Sequence, residues 1–162
     1  MGIFGRKADK KRKSYADGVY LEVPKQSKEH KKMHGDYLLG KDDISDIPGI
    51  TLHELVKVVL ERQGFKFGRL DMSGDYGVDF IVTLYGKTSI VRTVKYTKDT
   101  KMEAEIDKIA KAITQYNKHS KVDQAMLITN GKFTNAEQQY ASGAQVYLVD
   151  GDTLLGWMEK VR

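Results

Sequence analysis

An acid and a base, Asp79 and Lys95, lie in two adjoining apolar segments of the stretch SGDYGVDFIVTLYGKTSIVRTVK, residues 73–95. Apolar strands seldom contain charged side chains, because burying one unpaired ion is costly. The two residues should therefore lie near each other or bind a metal ion. The pattern predicts a catalytic or metal site, and a structural ion pair between the aspartate and the lysine is the alternative.

The register of these two strands decides whether a site forms, because side chains alternate between the faces of a strand. A three-residue turn at residues 86–88 would place Asp79 opposite Lys95 on one face of the sheet. A two-residue turn at Gly86 and Lys87 would place Asp79 opposite Val94 and direct Lys95 to the other face. The first register builds a site, and the second separates its two members.

The pattern around this hairpin predicts an α/β domain. An apolar stripe at helical spacing indicates a first helix, which Gly64 ends; the stripe consists of Leu52, Leu55, Val56, Val59 and Leu60. Three strands should follow as a meander, at FKFGRLD and at about residues 78–85 and 89–96.

Helices and strands alternate in the remainder of the chain. Two capping boxes, Thr100 with Glu103 and Thr134 with Glu137, begin helices. The buried face of the first of these helices should consist of Met102, Ile106, Ile109, Ala110, Ile113 and Tyr116. Strands are predicted at AMLITN and QVYLVD, and a last helix, starting at Asp152, should place Trp157 and Met158 in the core. The resulting order, α-β-β-β-α-β-α-β-α, predicts a mixed sheet with helices on both faces.

The composition fits one cytoplasmic domain, at residues 50–162, preceded by an extension at residues 1–49. The chain has 162 residues, 2 prolines and no cysteine, so a disulfide framework is excluded. It has no apolar run of about 18 residues and no charged-then-apolar leader, so we expect neither a membrane-spanning helix nor a secretory signal.

The positive charge of the chain belongs to the extension. Residues 1–34 hold 10 Lys and Arg against 4 Asp and Glu, a net +6, whereas residues 35–162 hold 17 against 18, a net −1. Lysine runs interspersed with tyrosines suit phosphate contacts and base stacking. The candidate nucleic-acid-binding residues are Lys10, Lys11, Arg12, Lys13, Lys31 and Lys32. A protein partner, a solvated linker and, least favoured, an anionic membrane surface are the alternatives.

Five short segments between residues 50 and 160 form a specific combination, although each alone is a weak signal. They are QGF at 63–65, GDYGVD at 74–79, TVK at 93–95, TNGKFTNAEQQYA at 129–141 and VYLVDG at 146–151. With this combination the chain resembles the Mrr-type restriction endonucleases, a branch of the PD-(D/E)xK nuclease superfamily. The resemblance implies a restriction-endonuclease-like mixed central sheet flanked by helices, with an α-β-β-β-α-β core followed by α-β-α.

The resemblance also implies metal-assisted hydrolysis of DNA phosphodiesters, with duplex DNA as the partner and Mg²⁺ or Mn²⁺ as the cofactor. Asp79 would bind the metal, and the backbone carbonyl of Val94 would complete the inner shell. Lys95 would orient or help deprotonate the attacking water and offset charge in the transition state. Hard oxygen ligands are needed because Mg²⁺ prefers near-octahedral oxygen coordination.

Two positions depart from the family pattern. Thr93, which we keep with Asp79 and Lys95 as a catalytic candidate, stands where family members have Gln or Glu. His53 falls where they tend to have Glu. A short neutral hydroxyl removes charge and reach from the inner shell, so we expect the metal to bind more weakly.

Two further acids are candidates for a supporting role. Glu54 could replace the missing carboxylate if the first helix is turned by about 100°, and it is otherwise an acid on the helix surface. Asp75 could contribute from outside the inner shell, and the alternative is an Asx turn. Three functions are compatible with these residues. The chain could be a working endonuclease impaired at Thr93, or a degenerate nuclease fold that binds DNA or a protein partner. The third is an unrelated scaffold that docks through its tail.

Overall fold

In the computed structural model the chain divides into two units, Met1–Tyr37 and Leu38–Arg162. The structure describes residues 11–16, 19–24, 27–70 and 75–162. In the first unit, strand β1 (Lys11–Ala16) pairs antiparallel with strand β2 (Val19–Pro24) as a two-stranded sheet. Helix α1 (Lys28–Leu39) follows and ends within the second unit.

The described residues of the second unit form four further helices and five strands. The strands are β3 (Lys66–Phe67), β4 (Phe80–Leu84), β5 (Lys87–Val94), β6 (Gln124–Thr129) and β7 (Val146–Val149). The helices are α2 (Gly49–Arg62), α3 (Met102–Tyr116), α4 (Asn135–Gly143) and α5 (Gly151–Val161). The predicted order of elements is confirmed. In the described part of the chain, no helix has the length and apolar character needed to span a membrane.

The five strands form one mixed sheet in the order β3-β4-β5-β6-β7. Strands β3, β4 and β5 pair antiparallel, which is the predicted meander, and β5, β6 and β7 pair parallel. Parallel neighbours require crossover connections, and helices α3 and α4 provide them. Strand β5 is therefore the junction between the antiparallel and the parallel halves of the sheet.

Two apolar layers cover the two faces of this sheet. One layer contains the buried stripe of α2, Leu154 and Met158 of α5, and Val91 of β5. The other contains the buried faces of α3 and α4 together with Ile90 of β5. Successive residues of β5 thus belong to opposite layers, as the alternation of a strand requires. Met158 is buried as predicted, and Trp157 is partly buried against the same layer.

The second unit begins earlier than the boundary that we predicted at residue 50. Leu38, Leu39, Ile44 and Ile47 are buried and belong to the same apolar layer as α2. The apolar pairs in this segment are short and lie among charged residues, so they have no helical or strand period of their own. Only their packing against α2 shows that they belong to the domain.

The two predicted capping boxes have different outcomes. The box at Thr134 and Glu137 is present, with both reciprocal hydrogen bonds. The box at Thr100 is not: Lys101 is the N-cap of α3 and makes no side-chain cap hydrogen bond. The Thr100 hydroxyl instead accepts a hydrogen bond from the Thr97 backbone N–H, at 2.8 Å. A local turn thus competes for the same hydroxyl.

Asn130, directly after β6, ties together three segments at one end of the sheet. Its Oδ1 accepts a hydrogen bond from the Tyr96 backbone N–H at 2.8 Å, and its Nδ2 donates to the carbonyl oxygens of Ile44 and Ser45 at 3.1 and 2.9 Å. Asn130 is 8% exposed, so these backbone groups have little access to water. The side chain therefore fixes the residues after β5 against the loop that leads into α2.

The start of α5 packs against this junction. The Gly151 N–H donates to the Gly131 carbonyl at 2.8 Å, and a Cβ on Gly151 would clash with the carbonyl oxygen of Asn130. A Cβ on Gly131 would lie 2.5 Å from the Cβ of Tyr96. Both glycines are required by close approach, which explains why the TNG and VDG segments carry glycine.

We expect Gly151→Ala to lower the free energy of unfolding by about 1–3 kcal/mol, because the added methyl group overlaps a backbone atom. Gly156→Ala is the matched control in the same helix, since its Cβ would meet nothing within 4 Å. This control should raise stability by about 0.5–1 kcal/mol. Urea unfolding of both variants measures the difference, and effects of the same sign would contradict the packing described above.

Candidate active site

The hairpin between β4 and β5 has a two-residue turn at Tyr85 and Gly86. Both residues have positive φ, 50° and 78°, as in a type I′ turn. Phe80 is consequently paired with Val91, and Leu84 with Lys87. Both turns that we considered from the sequence, at residues 86–88 and at residues 86 and 87, are therefore wrong. Tyrosine is an uncommon first residue for this turn, so the usual Asn-Gly or Asp-Gly signal is missing.

Asp79 nevertheless approaches the face of β5 that carries Thr93 and Lys95. If the pairing of Phe80 with Val91 were extended by one residue, Asp79 would lie opposite Arg92. Its side chain would then point to the face of the sheet away from Thr93. Asp79 precedes β4, however, and its Oδ2 accepts hydrogen bonds from the backbone N–H of Thr93 at 2.7 Å and from the Thr93 hydroxyl at 3.2 Å. The carboxylate thus lies beside Thr93 despite the register.

Helix α2 contributes His53 to the same place. The His53 Nδ1 lies 3.8 Å from the Asp79 Oδ1, and the two side chains are 40% and 26% exposed. The imidazole ring packs on the ring of Phe80, with centroids 4.4 Å apart. The structure therefore brings together three residues that the sequence indicated separately, Thr93, His53 and Asp79.

Lys95 lies beside α2, next to Gly49 in the first turn of that helix. It directly follows β5, which ends at Val94. A Cβ placed on Gly49, at the start of α2, would lie 3.9 Å from the Cβ of Lys95. Gly49 and His53 are four residues apart and lie on one face of α2. Lys95, beside Gly49, and Asp79, beside His53, therefore lie next to consecutive turns of this helix.

Lys95 is exposed, and it forms no ion pair with Asp79. The structural ion pair that the sequence left open is therefore wrong. Because Lys95 is exposed, an anionic ligand could reach its ammonium. We call Asp79, Thr93, His53 and Lys95 the candidate cluster.

The other predicted site residues are less closely associated with the candidate cluster. Glu54 is exposed on α2 next to His53, and the Val94 side chain packs against the opposite layer, with α3 and α4. The backbone of Asp75 lies in a 3₁₀ turn at Asp75–Gly77, and its side chain lies outside the described part of the chain. Within the described part, no three His, Asp or Glu side chains come together in an arrangement that could hold a metal ion.

The predicted nucleic-acid-binding residues belong to the first unit. Lys10 lies outside the described residues. The next three, Lys11, Arg12 and Lys13, are in β1, and Lys31 and Lys32 are exposed on α1. Their assignment to DNA stays a prediction.

Arg92 is a positioning residue that the sequence analysis missed. On the face of β5 opposite Lys95, its Nε donates to Glu105 of α3 at 2.6 Å, and its Nη1 donates to the carbonyl of Gly77 at 2.8 Å. A Cβ on Gly77 would lie 2.7 Å from that Nη1, and the φ of Gly77 is 72°. The glycine before Val78 and Asp79 is thus needed for contact with Arg92. The sequence feature that could have indicated this role is an arginine within an otherwise apolar strand.

We expect Arg92→Lys to loosen the turn that leads into Asp79. A lysine ammonium cannot span Glu105 and the Gly77 carbonyl as the guanidinium fork does, so one hydrogen bond to a charged group, worth about 1.5–3 kcal/mol, is lost. The Asp79 amide, which donates to the Val91 carbonyl at 2.7 Å, should exchange faster with deuterium. Urea unfolding and hydrogen exchange measure the two effects.

Lys108→Gln is the control for this experiment. The Lys108 ammonium lies 3.9 Å from the same Glu105 and is 49% exposed, so its loss should change stability by less than about 1 kcal/mol. Unchanged exchange at Asp79 in Arg92→Lys would contradict the positioning role.

Two solved structures are similar to this chain at low sequence identity. Two solved structures, of the restriction endonuclease FokI and of FokI bound to DNA, are 15% and 16% identical to this chain, with TM-scores of 0.45 and 0.44. Each alignment covers 98% of this chain and 37% of the FokI chain. A search of curated proteins found no match.

A family model gives the clearest result. The Mrr_cat model, described as a restriction endonuclease, matches residues 44–158. This range contains the whole sheet β3 to β7 and every member of the candidate cluster. The predicted resemblance and the predicted restriction-endonuclease-like α/β fold are thereby confirmed. The chain belongs to the Mrr family of restriction endonucleases.

Proposed function

We propose that this protein is a divalent-metal-dependent endonuclease that hydrolyses the phosphodiesters of duplex DNA. The observation that carries the proposal is the orientation of the Asp79 carboxylate. Thr93 holds one of its oxygens through two hydrogen bonds. The other oxygen accepts no hydrogen bond from any described residue and faces the imidazole of His53. A carboxylate fixed at one oxygen and available at the other is suited to bind a cation.

The residues present fit a hard divalent ion such as Mg²⁺ or Mn²⁺. Asp79 supplies an anionic oxygen at a position that is 26% exposed, and Val94 is the residue whose backbone carbonyl would add a neutral one. Such an ion, when bound, would lower the pKa of a coordinated water and offset charge on the phosphate oxygens. The chain thus contributes few ligands, which leaves room for water and phosphate.

Lys95 supplies the positive charge of the proposed site. Its exposed position beside the first turn of α2 suits contact with a phosphate oxygen or with the attacking water. There the ammonium would offset the charge that develops in the transition state. Asp79 would orient the reacting groups, and Thr93 would hold Asp79.

A second function is a binding module that has lost catalysis. It is favoured by the role of Thr93, whose hydroxyl is engaged with Asp79 and supplies neither the charge nor the reach of the family's Gln or Glu. The missing third His, Asp or Glu ligand in the described residues favours it too. In that case the fold would bind DNA or a protein partner without cleaving it.

The catalytic proposal predicts that supercoiled plasmid is nicked with Mg²⁺ or Mn²⁺ and that Asp79→Asn abolishes nicking. Lys95→Ala should reduce the rate by about 100-fold or more, the usual effect of removing one transition-state partner. Plasmid relaxation on agarose gels measures both effects. A wild-type protein that binds DNA without nicking it would favour the binding module instead.

Asp123→Asn is the matched control for Asp79→Asn. Asp123 is also 26% exposed and also accepts a backbone N–H of β5, that of Thr88 at 2.9 Å, but at the opposite end of the strand. This hydrogen bond lowers the pKa of Asp123, so the control also removes a negative charge. Nicking should be unaffected in this variant, and a loss equal to that of Asp79→Asn would show that the effect is structural.

We further propose that the basic extension contributes to DNA affinity. If the run at residues 10–13 contacts phosphates, changing its four cations to Gln should lower the slope of log affinity against log salt by about 0.9 for each contact. Fluorescence anisotropy with a short duplex measures the slope.

A control with the same change in net charge uses four exposed lysines of the second unit. They are Lys66, Lys87, Lys118 and Lys121. Equal slopes for the two variants would show that general charge, and not the extension, sets the affinity, and would leave a protein partner as the alternative for the extension.

A further inference from the structure

Two donor atoms of different chemical type face each other in the candidate cluster. The His53 Nδ1 and the Asp79 Oδ1 are 3.8 Å apart. This separation is too long for a hydrogen bond, which spans about 2.7–3.2 Å. Two adjacent ligands of an octahedral ion, each about 2.1 Å from it, lie roughly 3.0 Å apart. One ion could therefore bridge the two atoms if they approached each other by less than about 1 Å.

Both donors are held in place by other contacts. Thr93 fixes the second oxygen of Asp79, as described above. The imidazole of His53 packs on Phe80, which is 7% exposed and itself packs edge-on against Phe67 at 5.4 Å. Residues outside the pair thus set its geometry, and an ion binding there would not have to organise two mobile side chains.

The nitrogen donor determines which ion the pair prefers. Mg²⁺ is bound mainly through oxygen and keeps several waters, whereas imidazole is a ligand for the divalent transition metals. Among these, Mn²⁺ retains the preference for carboxylate, water and phosphate oxygens that the proposed reaction requires. A site with one imidazole nitrogen and one carboxylate oxygen should therefore bind Mn²⁺ better than Mg²⁺.

We infer that His53 and Asp79 together bind one divalent ion and that His53 makes this site selective for Mn²⁺ over Mg²⁺. The inference deepens the proposed function and rests on it for the location of the ion, but it concerns binding and can be tested without DNA. The competing explanation is an ion pair between protonated His53 and Asp79, with no role for a metal.

Histidine NMR on the full chain provides a direct test. The chain has four histidines, and paramagnetic Mn²⁺ should broaden the ring signals of His53 while leaving those of His119, exposed after the end of α3, sharp. Titration followed by EPR of free Mn²⁺ gives the affinity. His53→Gln should weaken Mn²⁺ binding by at least about 10-fold, because even the loss of a residue that only supports a metal ligand costs about 10- to 100-fold in affinity. His119→Gln should not change it.

A second variant tests selectivity. His53→Glu replaces nitrogen by oxygen, so competition between the two ions should shift towards Mg²⁺ by about 10-fold or more. An unchanged preference would overturn the inference. So would Mn²⁺ binding that Asp79→Asn abolishes and His53→Gln leaves intact, although the proposed endonuclease would then stand.

The remaining outcomes separate the inference from the proposed function. If wild type shows no Mn²⁺ broadening at His53 yet nicks plasmid with Mg²⁺ in an Asp79-dependent manner, the inference fails and the function survives. If His53 is not broadened and no nicking occurs, both fail, and the ion pair between His53 and Asp79 is the remaining account of the contact.

Discussion

The hydrogen bonds between Thr93 and the Asp79 carboxylate are the interaction on which the candidate cluster depends. The turn at Tyr85 and Gly86 gives the hairpin a register that would send residue 79 to the face away from Lys95. Because Asp79 stands just outside β4, its side chain is not bound by that alternation, and the backbone N–H and hydroxyl of Thr93 bring it to the face that carries Lys95. Thr93, which lacks the charge and reach of a metal ligand, is thus the residue that holds Asp79 in the candidate cluster.

Two polar contacts stabilise the segments on either side of this interaction. On one face of the sheet, Arg92 joins Glu105 of α3 to the Gly77 carbonyl and so sets where the chain enters Asp79. At the other end, Asn130 joins the residue after Lys95 to the loop before α2. Both residues satisfy backbone groups that the strands and helices leave unpaired. The geometry of the cluster therefore depends on side chains that do not belong to it.

Family membership and chemistry have to be judged separately for this chain. The match over residues 44–158 establishes the Mrr family, but a fold is compatible with more than one function. The chemistry rests on the donor set, in which a threonine and a histidine stand at positions where the family tends to have amide or carboxylate groups. Compared with that pattern, the candidate cluster has fewer carboxylates and gains an imidazole nitrogen, which lies 3.8 Å from Asp79. The cluster is therefore altered in kind as well as in the number of its carboxylates.

The sequence by itself determined the order of the elements, the mixed sheet and the identity of the clustered residues. Period and capping are local properties, so the apolar stripe of α2 and the box at Thr134 could be read directly. Only the tertiary structure decided the hairpin register, the burial of Leu38 and Ile44, and the roles of Arg92 and Asn130. These depend on which distant backbone groups need a partner and which apolar side chains find a neighbour, and neither is encoded in a local pattern.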